Sequence, residues 1–366
     1  MLGGDYRTFQ YLSAIMAGCM IFFGYQVVKI LSENIRVQCC YLMLAVCCVP
    51  MYVYTAFVYG EIISSALLML AAWILLICLK RFSWRMAIAF GIIVGLSVQF
   101  RKNALIMAAG FLIVIVGKTF AKDRIKKMHM LALACILILG MVLTNGLVKD
   151  GIYKGKIPGD SKPMPALLHV AMGCNQDGQN PGWYNGYNWN TYHDFACDGQ
   201  AAGQEAIRTI RKFLDDCASD HVFAVDFFVR KIAAQWEAPM YQCLAMNNCF
   251  AGEQSGFAQQ VYFGSLRIWI ERFMNIYQLI IYGGIFVLLI QKWKDFERIE
   301  YFVLLIGVFG GFLFSLIWEA KTRYIFPYLL FMMPYAAVGL EGILKWIAAA
   351  HAKERPELGK RKQIRG

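Results

Sequence analysis

The sequence predicts an all-α polytopic membrane protein, with about nine spanning helices and a mixed, mainly helical extracytoplasmic insert. Three observations predict it. Of 366 residues, 59% are hydrophobic and 16% charged, against about a quarter charged in soluble domains. The mean hydropathy is +0.49. The apolar runs approach the roughly 20 residues that cross about 30 Å of hydrocarbon. They are continuous rather than alternating, which selects helices over a barrel.

Spans are expected near 11–31, 40–58, 62–79, 86–100, 104–117, 129–148, 274–291, 300–318 and 324–344. The fourth and fifth are short and read as a tight helical hairpin. Small-residue pairs, Gly91 with Gly95 and Gly307 with Gly311, allow close approach of helices within the chain. The division is then 1–148 (six spans), 149–273 (insert), 274–344 (three spans) and 345–366 (basic tail).

The net charge of +12 sits in short loops between apolar runs. That is a footprint of topology rather than of a nucleic-acid surface. Lys80, Arg81 and Arg85 crowd one loop; Lys118, Lys122, Arg124, Lys126 and Lys127 crowd another; Lys292, Lys294 and Arg298 mark a third. With the tail from Lys345 onward, all fall on one side when nine spans are counted. The positive-inside rule makes that side cytoplasmic. The insert and the turns at 99–103 and 319–324 then lie outside, in the reading of a bacterial plasma-membrane protein. The N-terminus is also external, yet no cleavable signal peptide is visible. An earlier span, upstream of Met1, is the expectation this raises.

The insert begins with turn-rich sequence, as in PGDSKP and NPGWYNGYNWN, and turns helical over 203–236. Ala206, Ile210, Phe213 and Leu214 form one expected face; Val222, Val225, Phe228, Val229 and Ile232 form another, suited to the membrane surface. Of twelve cysteines, five lie in the insert. Cys174 with Cys197, and Cys243 with Cys249, are the nearest pairs should the compartment be oxidising. No spacing matches a zinc site, and no Walker, GxSxG, HExxH or dinucleotide motif is present.

Ionisable residues near the outer face carry the chemical signal, because charge near hydrocarbon is usually paired or functional. Arg101 and Lys102 lie in the QFRKN turn. Glu319, Lys321 and Arg323 lie in WEAKTRY. Glu61 opens the third span, and Glu237 follows Trp236 in QWEAP. Four cations in two short external turns suit an anion, and arginine forks match phosphate. The competing reading is internal pairing, such as Glu319 with Arg323 at helical spacing. Glu61 and Glu237 are candidate general bases or orienting carboxylates, or simply solvated acids at helix ends. His169 reads as a packed histidine or a ligand. The aromatics Trp183, Tyr184, Tyr187, Trp189 and Tyr192 suit packing, an interface belt or sugar stacking.

Several passages carry a family resemblance. FQYLSAIMAGCMIFFGYQVVKIL followed by VPMYVYTAFVYGEIISSALLMLAAW, the hairpin GLSVQFRKNALIMAAGFLIVIV, the turn WEAKTRYIFPYLLFMMPYAAVGLEGI and QWEAP resemble the polyprenyl-phosphate-dependent glycosyltransferases of the C-type fold. That group includes protein O-mannosyltransferases and lipid A aminoarabinose transferases. The resemblance implies inverting transfer outside the membrane, from a polyprenyl-phosphate-linked sugar to a glycan, lipid or protein acceptor. It implies donor-phosphate binding by Arg101, Lys102 and Arg323, with Glu319 supporting the late turn; Lys321 joins the candidate phosphate ligands, and Tyr324 and His169 the candidate supports, by their place in the sequence. No cofactor and no obligatory metal are implied. The expected partners include membrane lipids and exclude nucleic acid. The family's first span and acidic catalytic loop would precede residue 11, where only MLGGDYRTFQ stands. The family base is therefore expected upstream of Met1, with Glu61 and Glu237 as weaker substitutes within the chain. Either Met1 is not the true start, or the protein is a non-catalytic relative that binds lipid-linked glycan. A transporter or flippase is the remaining alternative, and it would more often show repeats and broken midplane helices.

Overall fold

The computed structural model describes residues 5–120, 124–154, 163–178, 180–248, 256–292 and 298–363. Among them no strand forms, and the one β-type contact is an isolated bridge between Trp183 and Ala320. All nine expected segments are helical. The first seven helices are α1 (Tyr6–Leu31), α2 (Ile35–Cys47), α3 (Val49–Val53), α4 (Glu61–Lys80), α5 (Trp84–Phe100), α6 (Ala104–Thr119) and α7 (Arg124–Val148). The insert carries α8 (Leu167–Gly173), α9 (Tyr187–Asp194), α10 (Gly199–Ser219), α11 (His221–Trp236), α12 (Cys243–Asn248) and α13 (Gly256–Tyr262). The chain re-enters the bundle as α14 (Ser265–Gln291), α15 (Val303–Ile317) and α16 (Phe326–Gln363).

Among the described residues six helices are long and apolar enough to cross a bilayer, and seven if the broken segment at 35–56 counts as one. α5 and α6 are apolar but only 17 and 16 residues long. The expected straight span at 40–58 is corrected to two helices bent by 52°. Pro50 lies in the first turn of α3. Its missing N–H and its ring end the helix before it.

α4 and α16 are the most enclosed spans, while α1 and α7 are peripheral. Glycines set how closely helices meet. A Cβ on Gly140 of α7 would lie 2.4 Å from backbone atoms of Gly91 in α5, and one on Gly110 of α6 would lie 2.9 Å from Gly307 in α15. Both expected small-residue pairs thus serve packing inside the chain.

The helical stretch 203–236 is two helices rather than one. Asp220 ends the first and caps the second, accepting from Val222 N at 2.9 Å and Phe223 N at 3.0 Å. The expected faces are partly corrected too. Ala206, Phe213 and Phe227 are buried, whereas Leu214, Val222, Val225 and Val229 are exposed. Val222, Val225 and Val229 are exposed together, as a surface-lying face requires, so the correction falls on Leu214 of the first face. Cys174 and Cys197 are free thiols. Cys197 packs instead on His193 at 3.8 Å. Met1, Lys122, Cys249, Lys294 and the PGDSK stretch at 158–162 lie outside the described residues.

α11 fastens the insert to the bundle. Lys231 is fully buried, and its ammonium donates to the carbonyls of Gly173 (2.5 Å) and Leu316 (2.9 Å), at the last turns of α8 and α15. Burial pushes its pKa down to about 8. One turn on, Gln235 donates to Ser315 O at 3.2 Å and the Trp236 indole to Ser315 Oγ at 3.2 Å. Ala320 N donates to Gly182 O at 2.7 Å, tying the 319–324 turn to the insert.

Candidate functional site

Three helix junctions meet where the insert covers the bundle. Glu61 is the first residue of α4, Arg101 caps the C-terminus of α5, and Arg323 lies in the 3₁₀ turn Thr322–Tyr324 ahead of α16. Gly60 permits the convergence: a Cβ there would stand 2.6 Å from the Phe100 carbonyl oxygen. The α4 and α5 ends therefore abut, and Arg101 reaches Glu61 at 3.2 Å. Glu61 is 2% exposed, and a carboxylate at a helix N-terminus suits the dipole there.

Tyr59 joins the two arginines. The Arg101 guanidinium lies 4.3 Å from its ring centroid and that of Arg323 lies 5.1 Å away. Arg323 also packs on Tyr324 at 5.3 Å. Among the described residues no carboxylate lies within ion-pair distance of Arg323, and its Nε has no hydrogen-bond partner. Neither Glu61 oxygen accepts a well-formed hydrogen bond. Between them is a cavity of about 20 Å³, lined by Glu61, Ser64, Ser65, Arg101, Asn103 and Arg323 among others. It has room for one water.

The second half of the site is centred on Glu319, which is 3% exposed. Tyr324 donates its hydroxyl to Glu319, Lys321 approaches at 3.5 Å, and His169 Nδ1 lies 3.5 Å away. Burial works to raise the Glu319 carboxyl, but His169, Tyr324 and Lys321 outweigh it and hold it below the usual range. Burial lowers Lys321, with the nearby Arg323 charge acting the same way and Glu319 opposing. The Lys321 ammonium also sits 4.0 Å from the Tyr184 ring centroid. His169 stacks on Trp318 (5.2 Å, 12°), and Asn188 Nδ2 lies 3.3 Å from the same Nδ1. That nitrogen serves one neighbour at a time: protonated it faces Glu319, unprotonated it accepts from Asn188.

Arg101, Glu61, Glu319, Lys321, Arg323, Tyr324 and His169 thus gather at one end of the bundle. Lys102 is exposed beside Arg101. The internal pairing expected between Glu319 and Arg323 is replaced by one between Glu319 and Lys321. The 3₁₀ turn removes the helical spacing on which the first pairing depended. Glu237 is exposed at the end of α11 and does not join the cluster. Among the described residues the cluster's carboxylates are Glu61 and Glu319, both enclosed and each in an ion pair. Tyr59, Tyr184 and Asn188 do join, and sequence reasoning did not find them as partners. Tyr59 had one available signal, its place two residues before Glu61. Beside Thr322 lies a wider cavity of about 460 Å³, lined also by Trp183, Tyr241 and Arg267.

Residues 2–147 match the model of a family described as dolichyl-phosphate-mannose-protein mannosyltransferase. The resemblance read from the residues is shown over this region. Two solved structures are similar to the chain. One is the archaeal oligosaccharyltransferase AglB from Archaeoglobus fulgidus, in complex with an inhibitory peptide and a dolichol-phosphate, at 14% identity and a TM-score of 0.46, covering 95% of this chain and 40% of that one. The other is an Archaeoglobus fulgidus oligosaccharyltransferase in the apo form, at 13% identity and a TM-score of 0.45, covering 95% and 41%. The chain therefore spans about two fifths of the length of these structures. No curated protein matches its sequence.

Proposed function

We propose that this integral membrane protein is a glycosyltransferase that moves a sugar from a polyprenyl-phosphate donor to an acceptor on the extracytoplasmic side. The reading takes 1–148 and 274–344 as the membrane regions, 149–273 as the external insert and 345–366 as a cytoplasmic tail. The family match over 2–147 supports the donor class. The observation that carries the site is Arg323, a half-buried guanidinium held between two tyrosines, with Glu61 across a single-water cavity and no carboxylate within ion-pair distance among the described residues. A half-desolvated cation is costly without a counter-charge, and a lipid phosphate supplies one in the bidentate geometry arginine favours.

The roles then divide. Arg323 and Lys321 hold the donor phosphate, with Lys102 adding charge at the rim. A phosphate is larger than the single-water cavity, so it meets the guanidinium from the accessible side. Arg101 is already neutralised by Glu61 and stiffens the arrangement through Tyr59. Glu319 orients Lys321 and Tyr324, and His169 holds Glu319. In the transfer the acceptor oxygen or nitrogen attacks the sugar C1. The bond from C1 to the phosphate oxygen breaks, the lipid phosphate leaves with the electron pair, and the acceptor proton passes to a base. Glu61 suits orientation better than that proton transfer, being enclosed and paired with Arg101. Glu237 is exposed at the end of α11 and pairs with none of the cluster's described residues.

The test uses the full chain in nanodiscs with polyprenyl-phosphate donors whose sugar is radiolabelled, together with glycan, lipid and protein acceptors. Label leaving the lipid for an acceptor is the expected result. Donor that binds and stays intact contradicts the enzyme and favours a lipid-linked glycan-binding protein. In sealed vesicles, donor that crosses the bilayer unaltered favours a flippase.

A further inference from the structure

The fold disperses the aromatic cluster of the insert. Tyr184 packs on the Lys321 ammonium, the Tyr187 hydroxyl meets Thr209 Oγ1 at 2.8 Å, and Trp189 packs on His193 at 4.3 Å. Trp183 instead lines the cavity of about 460 Å³ beside the 319–324 turn. Backbone contacts fix it there: Trp183 N donates to Asn180 O at 2.9 Å, and Trp183 bridges to Ala320. Asn180 lines the same cavity. From α14, Arg267, Glu271 and Asn275 line it at four-residue spacing, one stripe of the helix, and Arg267 Nε donates to Glu271 at 2.8 Å. Between α11 and α12, Tyr241 and Gln242 sit at φ 49° and 60°, a left-handed backbone that is costly without glycine and persists where the surroundings impose it. The Tyr54 hydroxyl donates to the Tyr241 carbonyl at 2.5 Å and Gln278 to its hydroxyl at 2.8 Å, while Gln242 lines the cavity.

Thr322 points to a ligand. It is 2% exposed, it lines this cavity, and its hydroxyl has no hydrogen-bond partner among the described residues. A buried hydroxyl left unsatisfied is costly, and a hydroxylated ligand offers it a partner. The amides of Asn180, Gln242 and Asn275 add neutral donors and acceptors beside the Trp183 indole. An aromatic face next to amide and hydroxyl groups matches a sugar ring, which is apolar on its C–H face and both donates and accepts at its edge. The volume lies within the roughly 300–1,000 Å³ of small-ligand pockets. Thr322 and Arg323 are consecutive, yet Thr322 lines this cavity and Arg323 the single-water one. One turn thus carries the residue assigned to the donor phosphate and, next to it, the wall of a second cavity. We propose that this second cavity receives the acceptor, a glycan whose terminal sugar stacks on Trp183 and hydrogen-bonds Thr322. The proposal rests on the transfer reading and names the acceptor class within it.

The test is binding of fluorescent neutral di- and trisaccharides of glucose, galactose, mannose and N-acetylglucosamine to the full chain in nanodiscs. At least one should bind without donor. Trp183→Ala should weaken that binding by about tenfold, and Trp183→Phe should retain most of it. Thr322→Val should weaken it by about twofold to tenfold, the scale of one neutral hydrogen bond. Its thermal unfolding should be unchanged or raised, because the hydroxyl removed has no partner in the folded chain, so this variant decides should Trp183→Ala fail to fold. No saccharide binding, or binding unaltered in Thr322→Val, overturns the proposal. Competition by intact sugar-loaded donor but not by polyprenyl phosphate also overturns it, because the pocket then holds the donor's own sugar. Sugar transfer to peptide or lipid acceptors but to none of the saccharides overturns the acceptor assignment and leaves the transfer reading standing. Saccharide binding that falls in the variants, with no transfer to any acceptor, upholds the pocket and contradicts the transfer reading.

Discussion

Two basic turns meet at Tyr59 and end in opposite electrostatic states. The turn after α5 brings Arg101 to Glu61, a buried carboxylate 3.2 Å away. The turn after α15 brings Arg323 to the same ring, across a single-water cavity from Glu61 and with no carboxylate at ion-pair distance among the described residues. The second turn does contain an acid, Glu319, but that group is occupied by Tyr324, Lys321 and His169. The lesson is that counting acids and bases along the sequence does not reveal which cation is left for a ligand. Arg101 holds Glu61 in a direct ion pair, while Arg323 stands off from the same acid across a small cavity.

Glu61→Gln breaks the comparison most directly. It leaves Arg101 without its counter-charge and makes it resemble Arg323. Loss of one partner from a buried pair costs about 3 kcal/mol or more, so thermal unfolding in detergent should shift down clearly. Polyprenyl-phosphate affinity should hold or rise in the same variant. A fall in affinity with stability unchanged would mean Glu61 contacts the ligand rather than Arg101.

A smaller effect is expected where the insert is fastened. Lys231→Met strands the Gly173 and Leu316 carbonyls, at about 1–3 kcal/mol each. Proteolysis of the insert should accelerate while the spans stay protected. The pH dependence has a definite sign. The folded-state pKa of Lys231 is about 8 against an ordinary 10.5, so the unfolded chain binds more protons between those values. Stability from this residue therefore rises with pH across that window and is flat below it. Lys231→Met should abolish the rise, and a rise that persists would assign it to another group.

Much of this was legible in the sequence for a physical reason. Long apolar runs in a membrane must be helical, so the expected segments are helical, although only six or seven of the described helices are long enough to span, and charges at their junctions marked the candidate site end through Arg101, Glu319 and Arg323. The misses have physical causes too. Pro50 and Asp220 carry local stop and start signals that periodicity averages away. Lys231 sits on an otherwise ordinary amphipathic helix, and only the fold reveals that its ammonium meets two helix ends. Tyr59 looks like one more interfacial aromatic until Arg101 and Arg323 approach it from distant parts of the chain. Glu237 shares its composition with the site acids, but α11 turns it to solvent.

The most direct measurement is the affinity of polyprenyl phosphate for the chain in nanodiscs, compared among wild type, Arg323→Ala and Arg101→Ala. Arg323→Ala should weaken binding by about tenfold to a hundredfold, the scale of a charge-assisted hydrogen-bonded contact, with membrane insertion intact and Arg101→Ala the milder of the two. Unchanged affinity in Arg323→Ala, in a protein that is inserted and folded, would contradict the assignment of Arg323 to the donor phosphate.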